Sequence, residues 1–189
     1  MADVLDVANY ILEISREDSE DGEFELISHM KLQKLVYFCQ GFSLALSEKP
    51  LFSEPIEAWT HGPVCPKLYH ILKVYGATPI TGVIDPDRIT LSDYEKLLIK
   101  MVYDNYGQYS ASRLRKITHE ENSPWANTLL NSIISQETMS KFFLSKIDVD
   151  PADIPKSTED EKNELLNILT QAEVNGELKV SQFSIPMGA

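Results

Sequence analysis

Apolar side chains recur through the first third of the chain at Leu32, Leu35, Val36, Cys39, Phe42 and Leu46. Offsets of three, four and seven place them on one face of a 3.6-residue period. Tyr37, Phe38, Leu44 and Ala45 fill most of the opposite face. A helix apolar nearly all round must be enclosed by other elements, so residues 31–47 are expected to form a central buried helix. Ser28 is placed to cap it by accepting from the amides of its first turn. Upstream, Val4, Val7, Ala8, Ile11 and Leu12 make an amphipathic stripe, which predicts a helix starting near Asp3 and packing on the central one. Between the two, Glu17 to Glu25 carries six acidic residues and Gly22 and reads as a solvated loop.

Beyond the central helix, Pro50 and Pro55 bracket a turn-rich connection, and residues 56–60 alternate as a short strand does. His61-Gly62-Pro63 breaks that strand. Pro66 suits the first position of a helix with a stripe of Leu68, Ile71, Leu72 and Tyr75, and Gly76 suits its end. Residues 78–86 read as irregular chain with at most one brief strand. Ser92 and Glu95 form a capping-box pattern, followed by a stripe of Tyr94, Leu97, Leu98, Met101 and Val102 running to Gly107. A shorter helix with Leu114 and Ile117 follows Ser110 and ends near His119. Ser123-Pro124 predicts that Trp125 stands at a helix start, and residues 138–144 the last helix of the domain. Two prolines and several aspartates then interrupt the periodicity. After that break, Thr158 to Glu161 forms another capping box, ahead of a helix bearing Leu165, Leu166, Ile168 and Leu169. The expected fold class is mainly α: a compact helical domain around a central buried helix, with one or two short strands and a C-terminal helical appendage. The expected division is a domain at 1–145, a linker at 146–157, and a helix with tail at 158–189.

The segments KLQKLVYFCQGFSLAL, EAWTHGPVCPKLY, YG and THEENSPW stand in this order in the sequence. Together they resemble the Panacea domain, also described as the SocA-like or phage-associated antitoxin domain, over roughly residues 28–145. The resemblance implies a mostly helical bacterial, prophage or mobile-element protein, often encoded beside a small toxin that it neutralises. It also implies that AWTHGPV and THEENSPW are the two signature segments. They are expected to pack together and shape one surface, with Trp59, His61, Gly62, Pro63, His119, Pro124 and Trp125 as its candidate residues.

Charge sharpens this picture. The 189 residues carry 29 acidic and 17 basic side chains, a net charge of −12. Such a field repels phosphate backbones and disfavours a broad nucleic-acid interface. It suits a basic protein partner, and it also serves solubility alone. Cys39 and Cys65 are the two cysteines, with no CxxC pattern, which fits a reduced, cytoplasmic protein. Neither a signal-peptide pattern nor an apolar run of about 20 residues occurs, so no membrane association is expected.

Candidate catalytic chemistry is sparse. A metal-assisted hydrolase would need histidines converging with a carboxylate, and His61 with His119 is the available pair. Each also has a structural use, bonding to backbone carbonyls at a strand or helix end. Cys65 and His61 lack the surroundings of a nucleophile pair, and no phosphate-binding glycine loop occurs. Trp59, in a short strand, is expected to favour core packing over partner contact. No catalytic residue, metal or cofactor is therefore expected. The expected function is a non-enzymatic antitoxin that binds a cognate, basic toxin. Alternatives are a phage-associated binding protein or protease adaptor with a host target, and less favoured, the hydrolase. Leu165, Leu166, Ile168 and Leu169 are candidate anchors for the partner or for the domain itself.

Overall fold

The computed structural model describes residues 1–20, 27–82, 84 and 90–147. Their fold is mainly α, organised by α2 (His29–Ser47). Ser28 Oγ accepts from the Lys31 amide at 3.4 Å, and Glu48 ends the helix in the left-handed region at φ 56°. Sixteen of the nineteen residues of α2 are buried, so both faces are enclosed. Around it pack α1 (Val4–Glu20), α4 (Asp93–Tyr106), α5 (Ala111–Thr118) and α6 (Gln136–Leu144). Phe38 stacks on Tyr106 with ring centroids 4.7 Å apart, and Phe42 meets Phe143 edge-on at 4.9 Å. Close approach of α6 depends on Gly41, where an added Cβ would lie 2.1 Å from the Phe143 ring. None of the described helices is long and apolar enough to cross a membrane.

The buried polar residues of α2 tie loops to the post. Gln40 Oε1 accepts from the amides of Leu51 and Phe52 at 2.9 and 3.2 Å, and its Nε2 donates to the Phe52 carbonyl at 3.0 Å. One side chain thereby satisfies three backbone groups of the connection after α2.

A two-stranded antiparallel hairpin follows, β1 (Glu57–Trp59) and β2 (Gly62–Val64), with Ala58 opposite Pro63. Residues 131–134 lie along the other edge of β1: Ala58 N donates to Ser132 O at 2.9 Å, and Ile134 N to Ile56 O at 2.8 Å. Next comes α3 (Pro66–Leu72), with Pro66 in its first turn, and then a 3₁₀ turn over Lys73–Tyr75 that closes at Gly76 with φ 53°. The Ser92 capping box of α4 forms with both of its reciprocal bonds, and Ser110 and Ser135 cap α5 and α6.

Several expectations are corrected. The acidic run is helical as far as Glu20, because Glu17 points to solvent and Arg16 Nη2 anchors the last turns on the Gly82 carbonyl at 2.8 Å; residues 21–25 lie outside the described residues. Gly62-Pro63 does not end the strand but begins its partner, since Thr60 and His61 make the turn. Ile71 is 41% exposed, as α3 is too short to bury more than Leu68 and Leu72. On α4 the buried face is Leu98, Ile99, Val102, Tyr103 and Tyr106, rotated from the expected stripe so that Tyr94, Leu97 and Met101 are only partly covered. Trp125 stands in a turn, not a helix: Ser123 Oγ accepts from Ala126 N at 3.1 Å, and the chain then leaves to pair with β1. The appendage helix with Leu165, Leu166, Ile168 and Leu169, and the linker from residue 148, lie outside the described residues.

Candidate functional site

The site is built where the hairpin crosses the first half of α2. Lys34 Nζ donates to the Pro63 carbonyl at 2.9 Å. Its neighbour Gln33 accepts from the Cys65 amide at 2.9 Å through Oε1. Two consecutive side chains of a buried helix thus hold β2 and its exit. Gly62 is required there twice over: its φ is +107°, and a Cβ would lie 3.0 Å from both Lys34 Nζ and Thr118 Oγ1. Burial, and secondarily the charge of Arg115, pushes the Lys34 ammonium down to about 7 from its ordinary value.

From the other side, α5 delivers the second segment. His119, which caps α5, places Nδ1 2.8 Å from the Arg115 carbonyl; that contact requires the proton on Nδ1, which donates. The imidazole lies against Trp125 with ring centroids 3.6 Å apart, and burial lowers its pKa, partly offset by the Arg115 carbonyl. Ser123, fully buried, donates through Oγ to the Thr118 carbonyl at 2.9 Å. Trp125 then spans the gap, its Nε1 donating to the Trp59 carbonyl at 2.8 Å. The two signature segments therefore meet, joined by the hydrogen bond from the Trp125 indole to the strand backbone.

Beside this junction an open cleft of about 440 Å³ is lined by His29, Trp59, His61, Val64, Tyr69 and Asn131 among others. Trp59 is half-buried, its ring edge-on to Tyr69 at 4.8 Å and its Nε1 donating to Glu57 Oε2 at 2.8 Å. It lines a surface and is not a core residue, because its strand neighbour Ala58 takes the inward position. Two exposed apolar residues adjoin cleft-lining residues in sequence, Val74 beside Lys73 and Leu130 beside Asn131. Val74, Leu129, Leu130 and Ile133 are all more than half exposed.

The expected residues divide accordingly. Trp59 and His61 face the cleft, His119 and Trp125 form the junction with their rings tilted by 37°, and Gly62, Pro63 and Pro124 are buried. Among the described residues, no group of three or more His, Cys, Asp or Glu side chains is placed to hold a metal ion. Sequence reasoning passed over Gln33 and Lys34, and read Ser123 only as a helix cap. For the first two a signal existed, since two adjacent polar residues interrupt a helix that is otherwise apolar all round, and buried polar groups need partners.

Comparison with known proteins gives a consistent picture. The family model for the SocA-like antitoxin, Panacea domain, matches residues 32–126, narrower than the 28–145 expected. The antitoxin SocA of Caulobacter vibrioides (strain NA1000 / CB15N) is 31% identical over 114 residues, a match covering 52% of this chain and 58% of that protein. The chain thus spans less than two thirds of that relative's length. No solved structure matches.

Proposed function

The chain belongs to the SocA-like antitoxin family defined by the Panacea domain, and from that premise we propose that it is a non-enzymatic antitoxin that masks a toxin protein. The observation that carries the reading is the Trp125–Trp59 bond, which joins the two signature segments beside exposed apolar side chains. Soluble monomers rarely expose contiguous large apolar patches unless something binds there. The binding face comprises the cleft with Trp59 and His61, together with Val74, Leu129, Leu130 and Ile133. Gly62, Pro63, His119, Pro124 and Trp125 form its scaffold. His119 serves that scaffold and not catalysis, using Nδ1 to hold a backbone carbonyl. A basic toxin fits the net charge of −12, which would speed encounter and select against acidic partners.

The test is co-expression with the product of a small reading frame adjacent to the gene, chosen because its expression alone arrests growth. Wild-type protein restores growth, and Leu130→Asp combined with Ile133→Asp abolishes rescue without lowering the melting temperature, both positions being exposed. Undiminished rescue by the double variant would remove this face from the interface. Absence of any rescue by the wild type would reject the antitoxin reading for that pair.

A further inference from the structure

Because residues 131–134 lie along β1, the hairpin has two outer edges, one on β2 and one on residues 131–134. Polar side chains of α2 close the first, where Lys34 Nζ donates to the Pro63 carbonyl and Gln33 Oε1 accepts from the Cys65 amide. The second edge is open. Ala58 N donates to Ser132 O, and Ile134 N to Ile56 O, so Ile133 stands opposite Glu57 as a non-hydrogen-bonded pair. At such a position the residue's own N–H and C=O point away from the neighbouring strand. Among the described residues neither group of Ile133 has a partner.

An exposed edge is a template for pairing with another chain, and proteins commonly guard it with charge or proline. This edge has neither guard. Residues 125–136 contain no charged side chain and no proline, in a chain whose net charge is −12. Leu129, Leu130 and Ile133 are each more than half exposed there. What fits an open edge is an extended backbone. In an antiparallel ladder, a residue with both backbone groups free is what a hydrogen-bonded pair uses, the two residues exchanging both N–H···O bonds. A second copy of the chain supplies the identical residue, and a two-fold axis through the pair satisfies both copies at once. Charge permits the approach. Across such a pairing the two Glu57 residues stand three strand spacings apart, about 14 Å, beyond the screening length of about 8 Å at physiological salt. Glu137, the next charge along the chain, is held by Lys141 at 2.6 Å.

We propose that a second copy of this chain covers this edge. Ile133 of each copy donates its N–H to the carbonyl of Ile133 in the other, and the side chains of Leu130 and Ile133 from both copies leave water together. The pairing carries the sheet across the two-fold axis. It uses the face assigned above to the toxin, so a toxin and a second copy compete for it, but self-pairing requires no toxin.

Sedimentation equilibrium of the full chain alone tests this. The contact is small and therefore transient, so the protein should be followed from about 5 µM to about 500 µM. The mass average should rise from that of the 21.4 kDa chain towards twice that value, and the Ile133 amide should exchange more slowly at the high concentration than at the low one. Ile133→Pro deletes an N–H that β1 does not use, and Ile133→Lys places a charge on the edge. Both variants should remain monomeric across the range. If Ile133→Pro lowers the melting temperature and so disturbs the hairpin, Ile133→Lys decides alone. A wild-type chain still monomeric at the highest concentration would overturn the proposal. So would a dimer that Ile133→Lys still forms, or one in which the Ile133 amide exchanges as fast as in the monomer, since either places the contact on another face. Neither result bears on the antitoxin reading, whose growth test reads a different partner.

Discussion

Lys34 carries the least comfortable charge in the described structure. It is 1% exposed, its ammonium holds one carbonyl, and burial lowers its pKa to about 7. The unfolded chain keeps an ordinary lysine near 10.4, so between about pH 7 and pH 10 the unfolded state binds the extra proton. Stability should therefore rise with pH across that window, by at most about 1.4 kcal/mol per pH unit for one proton, and level off below pH 7 where both states are protonated. Urea denaturation between pH 6.5 and pH 9 checks this, with Lys34→Met expected to remove the slope. Gly41 is the complementary steric case. With a Cβ forced to within 2.1 Å of Phe143, Gly41→Ala should cost about 1–3 kcal/mol or more through overpacking. Phe143→Leu in the same background should recover part of that loss, whereas additive losses in chemical denaturation would show that α6 does not sit where Gly41 admits it.

Helix ends in this protein are set by short polar side chains at Ser28, Ser92, Ser110 and Ser135, each accepting from an amide three residues on. Ser92 is the strongest, since Glu95 reciprocates to the Ser92 amide at 2.8 Å. Replacing Ser92 with Ala should destabilise by about 1 kcal/mol, and thermal melting should resolve it. The hairpin is held differently, by Gln33 and Lys34 from beneath and Trp125 from the side. Trp125→Phe keeps the ring against His119 but deletes the bond to the Trp59 carbonyl. It should cost about 0.5–1.5 kcal/mol of stability and weaken rescue of a growth-arresting partner; unchanged rescue would show that the junction need not be rigid for binding.

Across the whole molecule, the enclosure of α2 by α1, α4, α5 and α6 decides what holds the domain together. Leu35 is 0% exposed on that helix, and Leu35→Ala should cost about 2–5 kcal/mol, the range for truncating a buried leucine. A loss under about 0.5 kcal/mol, typical of surface positions, would contradict the central placement of the helix. A chain ending at residue 149 should still melt cooperatively, since the buried cluster around α2 draws on residues from Ala2 to Ile147. A broad, non-cooperative transition would show that residues 150–189 complete the core.

Much of this architecture was legible from local pattern. The central helix, its Ser28 cap, the Ser92 capping box and the opening of α3 at Pro66 all follow from periodicity and end chemistry, which act over three to seven residues. The family resemblance likewise rested on contiguous motifs, and the match over residues 32–126 agrees with it. What local pattern could not supply was anything set by neighbours distant in sequence. The face that α4 buries depends on where α1 and α2 lie, and Trp125 sits in a turn because residues 131–134 are drawn to β1. The partners of Gln33 and Lys34 lie 32 and 29 residues away, and Trp125 reaches across 66 residues to Trp59. Periodicity determined which side chains must leave water. Only the packed chain decided which backbone groups the buried polar side chains would satisfy, because a hydrogen bond depends on distance and direction that the order of residues does not contain.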